Sequence, residues 1–307
     1  MFYNVENLFD TFDDPATNDD EFTPAGSKRW NYYRYKEKLD NLAKTIIAVG
    51  EWNPPEIIGL SEVENFQVVQ DLTTKTPLKN FGYQIVHVNS PDSRGIDNAL
   101  LYLPNKVRRV KHRTISVSNE QFMSRDILHV TLTILDKDTL QLYVNHWPSR
   151  YGGKEFTAHK RAAVAKILKR EIDQMQKQKQ NAKIVIMGDF NDEPLDESVA
   201  HELGAIGIQK QLKKTQIYNM SLPDFKSGKG TLVYKEIDHT LFLFDQIMVS
   251  GTLLVGRGLA MYGFQTQIYE AEWLLKDDRP YRSYQGPIYI GGFSDHLPIF
   301  IDLYWKD

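Results

Sequence analysis

Lys183-Ile184-Val185-Ile186-Met187-Gly188-Asp189-Phe190-Asn191-Asp192 is the stretch around which the rest of the chain arranges itself. From Lys183 to Met187 the apolar residues follow one another without alternation, which suits a central strand covered on both faces. Gly188 then lets the backbone turn tightly or be approached closely. Asp189 and Asn191 stand two apart, so in extended backbone they project to the same side. A carboxylate beside an amide oxygen suits a hard cation and a water nucleophile. A turn rich in Asp and Asn also forms for conformational reasons alone, so this segment does not name a reaction.

Working outward, the preceding segment Phe156 to Met175 carries Ala158, Ala165, Leu168, Ile172 and Met175 on one face of a predicted helix. Before it lie five short apolar or alternating runs, Tyr83–Val88, Ala99–Leu103, Val107–Ser116, Ile127–Leu135 and Leu140–Asn145, all predicted strands. Nearer the start, Tyr32 to Val49 has helical spacing and stops at Gly50. Ile57-Ile58-Gly59-Leu60 suits a buried strand, followed by a predicted helix from Glu64 to Thr74. Towards the end, Phe242–Val249 and Pro298–Tyr304 are predicted strands. Asp10–Ser27 and Gly251–Gly292, rich in turn-forming residues, are expected to be loops. The pattern predicts an α+β fold, two mostly antiparallel sheets packed face to face with helices outside, in one domain spanning 1–307.

With 307 residues the chain is long enough for a large shared core, and with no cysteine it excludes thiol catalysis, disulfides and thiolate zinc sites. The net charge of −3 lacks the basic footprint of a nonspecific nucleic-acid binder. A bound cation can still supply the positive charge a phosphate substrate needs. No stretch approaches the roughly 20 apolar residues of a membrane span. Met1-Phe2-Tyr3-Asn4-Val5 reads as the end of a strand, so upstream residues, an export signal among them, are expected to have been removed, with a periplasmic or secreted location. A monomer is expected.

Four further segments join a predicted strand at one end. Tyr3-Asn4-Val5-Glu6-Asn7-Leu8 puts polar residues after an apolar start; turn formation accounts for them equally well. In Leu60-Ser61-Glu62-Val63-Glu64-Asn65, Glu62 follows a buried strand, where a carboxylate needs a partner or a metal. In Val144-Asn145-His146-Trp147-Pro148-Ser149-Arg150, His146 closes a strand beside an anion-binding corner at Ser149 and Arg150. In Phe293-Ser294-Asp295-His296-Leu297-Pro298-Ile299, an Asp-His pair precedes an apolar strand and is hard to explain as packing. Asp245, within the apolar run Leu243–Val249, needs pairing, and His296 would satisfy it and gain basicity.

In this order the segments resemble the endonuclease/exonuclease/phosphatase superfamily, which includes deoxyribonucleases, abasic-site endonucleases, inositol-polyphosphate phosphatases and bacterial sphingomyelinases. The bacterial predicted extracellular nucleases look nearest. The resemblance extends from Asn4 to His296 through Asn-x-x-x-Leu, Ser-Glu-Val, Asn-His-Trp-Pro-Ser-Arg, Gly-Asp-Phe-Asn-Asp, Phe-Asp-Gln-Ile-Met-Val-Ser and Ser-Asp-His-Leu-Pro. It implies a four-layer α/β/β/α sandwich and hydrolysis of a phosphodiester, most readily as a DNase-like nuclease, with a phosphatase or a lipid phosphodiesterase of sphingomyelinase or inositol-phosphatase type as the alternative. It implies Mg²⁺, or Mn²⁺ or Ca²⁺, held by Asn4 and Glu62 with Asp295 nearby. Asp189 would orient or deprotonate the water, Asn191 would meet the phosphate, and His146 and His296 would serve its oxygens, His296 held by Asp245.

From the residues themselves, Arg94 in Ser93-Arg94-Gly95-Ile96-Asp97-Asn98 is expected to grip the phosphate, as is Arg150, and Asp97 to orient His146. Such Arg–Asp segments also form plain solvated turns. Arg161, on the apolar face of its helix, is expected in a buried ion pair. His87, His112, His129, His159, His201 and His239 have no comparable context and count as structural or surface residues. Lys106, Arg108, Lys111 and Arg113 alternate as the exposed face of a strand, a pattern that would also steer an anionic substrate. Retention of Glu62, Asp189 and His296 argues against an inert binding module, and the scattered histidines do not have zinc-hydrolase spacing.

Overall fold

A computed structural model describes residues 1–51, 53–119, 122–233 and 240–306; His239 lies outside them. The chain opens with β1 (Phe2–Leu8), α1 (Tyr32–Val49), β2 (Ile57–Val63), α2 (Phe66–Thr74), β3 (Gln84–His87) and β4 (Asp97–Tyr102). It continues through β5 (Val107–Ile115), β6 (Ile127–Ile134), β7 (Asp138–His146), α3 (Lys154–Gln178) and β8 (Lys183–Asp189). Further strands are β9 (Ile217–Asn219), β10 (Asp245–Ser250), β11 (Gly258–Ile268) and β12 (Ile299–Lys306).

These strands form two six-stranded sheets, ordered β11-β12-β1-β2-β4-β3 and β5-β6-β7-β8-β10-β9. Most neighbours are antiparallel, but β1 and β2 run parallel, as do β7 and β8. Parallel neighbours need a crossover, and α1 and α3 supply them. Asn31 caps α1 by accepting from the N–H groups of Tyr33 and Arg34, and Gly50 ends it, so its sequence boundaries hold. Asn65 caps α2 in the same way.

Alternation along each strand sorts the core into layers. Tyr3 and Val5 of β1 pack with Leu39, Leu42 and Ile46 of α1. Phe2, on the opposite face, meets Val185 and Met187 of β8 between the sheets. Ile184 and Ile186 of β8 face Val164, Leu168 and Ile172 of α3. The result is the expected α/β/β/α sandwich. A one-residue slip of β8 would exchange its two faces, each buried aliphatic side chain being worth roughly 1.5–3 kcal/mol. Among the described residues no helix is long and apolar enough to cross a membrane.

Two sequence expectations are corrected. The Gly251–Gly292 region is not all loop, because Gly258–Ile268 forms the edge strand β11 against β12. Its ladder shifts register between Tyr262 and Gln267, and Tyr262 to Gln265 are all exposed, so no clean alternation marks it. Asp245 does not interrupt a strand but begins one, with Leu241–Phe242 in a separate short hairpin.

Candidate active site

The site lies where β1, β2, β7 and β8 all end. The β1–β2 ladder shifts register between Asn4 and Leu8, and Glu6, Asn7 and Glu62 adopt positive φ of 50, 53 and 65°. Such backbone in residues other than glycine costs of order 1–3 kcal/mol and persists only where neighbours enforce it. Here the site side chains do so. The Glu6 N–H donates to Asn4 Oδ1 at 3.1 Å and the Asn7 N–H to Glu62 Oε2 at 2.9 Å. The Asn4 amide nitrogen then donates across the sandwich to Asp189 Oδ2 at 3.1 Å and reaches Glu62 Oε1 at 3.5 Å.

The second sheet contributes adjacent strand ends. His146 closes β7 opposite Asp189 at the end of β8, and Asp245 begins β10 opposite the same Asp189. Gly188 is required there, because a Cβ would sit 2.3 Å from the Asn145 carbonyl oxygen. Asn191, at φ 50°, donates its N–H to Asp189 Oδ1 at 2.9 Å and its side-chain amide to Trp147 O at 3.0 Å. From the C-terminal end, Ser294 Oγ donates to Asn4 O at 2.8 Å and accepts the His296 N–H at 3.1 Å. That ties the His296 turn to β1.

Asp189 therefore sits between two imidazoles. His146 Nε2 lies 3.7 Å from Asp189 Oδ2 and 3.8 Å from Glu62 Oε1. His296 Nε2 lies 3.9 Å from both Asp189 Oδ2 and Asp295 Oδ1. His296 Nδ1 bonds Asp245 Oδ2 at 2.7 Å, and Thr231 Oγ1 donates to that same oxygen at 2.5 Å. Both histidines, Asp189 and Asp245 are buried.

Electrostatics separates the two histidines. Burial holds His146 well below the usual histidine range, and the Arg125 and Arg94 guanidinium groups reinforce it. Burial also opposes charge on His296, but Asp245, Asp295 and Asp189 outweigh it and raise its pKa well above that range. One imidazole is thus neutral and the other cationic at neutral pH. Burial, with the nearby charges of Asp245 and Glu62, pushes Asp189 up to about 7 against the opposing pull of His296. A carboxylate so destabilised is relieved by a cation.

The donor set suits a hard cation. Asp189, Asp245 and His296 each offer an atom within 4.8 Å of the others. Asp245 Oδ2 is already spent on His296 Nδ1 and Thr231, however. The oxygens of Glu62 and Asp189, drawn together by Asn4, are the better hard-cation ligands.

The chain belongs to the Endonuclease/Exonuclease/phosphatase family, matching it over residues 1–305. It is a hydrolase of phosphoester bonds. Solved structures of similar fold include a Bacteroides thetaiotaomicron VPI-5482 mannosyl-6-phosphatase, 16% identical over 99% of this chain and 98% of that one, with a TM-score of 0.60. The human Nocturnin catalytic domain with bound sulfate anion is 19% identical over 89% of this chain and 87% of that one, TM-score 0.58. D. rerio TDP2 complexed with single strand DNA product is 16% identical over 87% of this chain and 93% of that one, TM-score 0.57. No curated protein matches.

The family hydrolase gathers Asn4, Glu62, His146, Asp189, Asn191, Asp245, Asp295 and His296 at one end of the sandwich. Asp295 stands at the rim, its side chain 32% exposed and bound by Arg282 at 3.1 Å. Asn4 presents its amide nitrogen to the carboxylates while its oxygen takes the Glu6 N–H, an arrangement that braces Glu62 and Asp189 against each other. Arg94 is at the edge, 44% exposed and 3.9 Å from Asp92.

Arg150 departs from its expected role as a phosphate contact. Its guanidinium is buried, spent on Asp192 at 3.0 Å, Asp196 at 2.6 Å and Asn191 O at 2.7 Å, and it lies 4.4 Å over the Phe244 ring. Asp97 does not orient His146. It pairs with His87 at 3.0 Å because β3 and β4 are neighbours, and His146 Nδ1 is buried with no hydrogen-bond partner among the described residues. Arg161 forms the expected buried pair, with Asp192 at 2.7 Å.

Sequence reasoning passed over Arg125, which is buried against Asp92 at 3.0 Å and Trp147 O at 2.7 Å, with its charge felt at His146. Its signal was a charged pair, Arg125-Asp126, immediately before the apolar strand β6. It also passed over Lys38, buried on the apolar face of α1 and bonded to Ser283 Oγ at 2.8 Å and Phe293 O at 2.7 Å, with Glu6 at 3.4 Å. Helical spacing puts Lys38 beside Tyr35 and Leu42, which was the available cue.

Proposed function

We propose that the protein hydrolyses phosphoesters with a divalent cation, Mg²⁺ or Mn²⁺ with Ca²⁺ as a further candidate, held by Glu62 and Asp189 with Asp295 at the rim. The observation that carries this reading is the placement of Asp189 between His146 and His296, within 3.7 and 3.9 Å. When bound, the cation neutralises phosphate charge and stabilises the departing oxygen.

In the proposed mechanism Asp189, fixed by the Asn191 N–H and Asn4, positions the attacking water and accepts its proton. His296, charged and braced by Asp245, donates to a phosphate oxygen. Neutral His146 faces the same phosphate from the Arg125 side. Asn191 and Arg94 complete the polar lining. The chain acts as one domain and as a monomer.

The nuclease reading draws on TDP2, whose structure holds a single strand DNA product. The phosphomonoesterase reading draws on a specific feature of the surface. Along β5 and the residue before it, acids face Lys106 (Glu56 at 2.5 Å), Arg108 (Asp136 at 3.0 Å) and Arg113 (Glu171), which leaves Arg109, bonded to His112 at 2.9 Å, and Lys111 as only a short cationic track for a polynucleotide backbone. The mannosyl-6-phosphatase also matches across 99% of this chain. We therefore favour a small phosphomonoester over nucleic acid. Release of p-nitrophenol from bis-p-nitrophenyl phosphate with Mg²⁺ or Mn²⁺, and its loss in Asp189→Asn, tests the shared chemistry. A panel of DNA, RNA, sphingomyelin, inositol phosphates and sugar phosphates tests the choice.

A further inference from the structure

A cavity of about 310 Å³ opens beside the phosphate site, on the side of Glu6 and Asn7. Asn7 lines it while its N–H holds Glu62, and Arg282 lines it while bonding Asp295 next to His296. Asn7 and Arg282 are thus the links between this space and the side chains around Asp189. The volume is near the lower end of ligand pockets, about 300 Å³, and suits one ring rather than a chain of nucleotides.

The lining discriminates between kinds of ring. Each charged group around the cavity already faces an opposite charge. Lys28 lies 4.0 Å from Glu21, Arg282 lies 3.1 Å from Asp295, and the buried Lys38 lies 3.4 Å from Glu6. A second charged group on the ligand would find no unmatched counter-charge. Phe22, Trp30 and Tyr284 also line the cavity, but they are buried and packed on one another, with centroids 6.2 Å apart for Phe22–Trp30 and for Trp30–Tyr284. Little ring face remains for a nucleobase to stack on.

What the cavity does offer is hydrogen bonding. Asn7 and Ser283 are polar residues of its lining, while Arg282 Nε faces Glu6 Oε1 at 3.7 Å. Lys28 Nζ has Gly286 O at 3.3 Å and the Tyr284 ring centre at 5.0 Å, which leaves protons to give. Hydroxyl groups match such a wall because each can both donate and accept.

We propose that this cavity is the subsite for an uncharged, polyhydroxylated ring of hexose size, making the substrate a sugar phosphate monoester. The proposal rests on the phosphoester hydrolase reading above. In the reaction, water oxygen bonds to phosphorus, the ester P–O bond breaks, and the sugar hydroxyl leaves carrying a proton, with orthophosphate as the other product.

The test is steady-state hydrolysis by the whole chain with Mn²⁺ or Mg²⁺ of mannose 6-phosphate, glucose 6-phosphate, p-nitrophenyl phosphate and bis-p-nitrophenyl phosphate. Wild type is expected to release phosphate from at least one hexose phosphate. Lys28→Ala should raise KM for that sugar phosphate about tenfold, the value of one hydrogen bond to a charged donor. It should leave p-nitrophenyl phosphate within about twofold, and Lys28→Arg should restore the sugar KM. Equal slowing of all substrates in Lys28→Ala, or no change in any, overturns the subsite. Hydrolysis of the nitrophenyl esters without either hexose phosphate overturns the subsite alone. No turnover of any ester overturns the hydrolase reading and the subsite with it.

Discussion

Asp245→Asn isolates the charge that sets His296 apart from His146. The substitution is nearly isosteric. An amide oxygen can still accept from His296 Nδ1 and from Thr231 Oγ1, which lie 2.7 and 2.5 Å from Asp245 Oδ2. The amide nitrogen would take the place of Oδ1, which is buried without a hydrogen-bond partner. Geometry is therefore kept and charge is lost. At an effective dielectric of about 20, opposite unit charges 2.7 Å apart attract by about 6 kcal/mol. Burial of His296 opposes that attraction, while Asp189 and Asp295, each 3.9 Å away, continue to support the imidazolium. The barrier therefore rises by a net of about 4 kcal/mol, which lowers kcat roughly a thousandfold. The assay is kcat for bis-p-nitrophenyl phosphate as a function of pH. Wild-type activity should persist well above the usual histidine pKa, and the variant's alkaline limb should move to lower pH. A raised histidine stabilises the fold fully below its unfolded value, about 6.5, and that contribution fades as pH rises through the folded value. The variant should accordingly lose most Tm in acid and least in alkali. A variant profile overlaying wild type, with kcat reduced less than about threefold, refutes the reasoning.

Asp189→Asn should lower kcat by roughly 10²–10⁴ while circular dichroism and Tm hold, because the lost group handles the water's proton; near-wild-type turnover would defeat the role given to it. Exhaustive chelation should abolish turnover, and Mg²⁺ added back should raise Tm more above pH 7 than below it. Asp189 is pushed up to about 7, so protons compete with the cation there, and metal-free stability declines as pH rises through that value. Full activity in the chelated enzyme, or a Tm gain independent of pH, would contradict this. Arg150→Ala should cost about 1–3 kcal/mol in urea unfolding, since it removes buried bonds to Asp192, Asp196 and Asn191 O while Arg161 still pairs with Asp192, with KM unchanged. A raised KM at unaltered stability would restore Arg150 as a substrate contact.

How far the sequence carried depended on whether a feature was local. Asn31 and Gly50 act within one turn of the helix they bound, so its boundaries could be read directly, whereas Asn65 caps α2 at Phe66, two residues after the predicted start at Glu64. The link between Asp245 and His296 was legible for another reason. A buried carboxylate in an apolar segment demands a partner, and few candidates existed. Asp97 met the same demand, but its partner depended on the register of β3 against β4, which places His87 opposite Ala99 and within reach of Asp97. Register is a tertiary fact, and His87 carried no motif to mark it. The edge strand β11 failed for a third reason. One open face and a register shift near Gly263 removed the alternation by which strands are found.

Least legible of all was the backbone that aims the site. Glu6, Asn7, Glu62 and Asn191 all adopt left-handed conformations, and none is a glycine. No propensity predicts such a conformation at a glutamate, so hydrogen bonds must hold it. The hydrogen bonds show what imposes it. The N–H groups of Glu6, Asn7 and Asn191 are accepted by Asn4, Glu62 and Asp189, the side chains on which the chemistry is proposed to turn. Turn and side chain hold each other: the carboxylate fixes the strained turn, and the turn fixes the carboxylate. A carboxylate so fixed arrives at the phosphate already oriented, and little reorganisation remains for the reaction to supply. The same reciprocity explains why polar residues at several strand ends, unremarkable one by one, carry weight only in combination: each is conformationally unfavourable unless its hydrogen-bond partner is also in place.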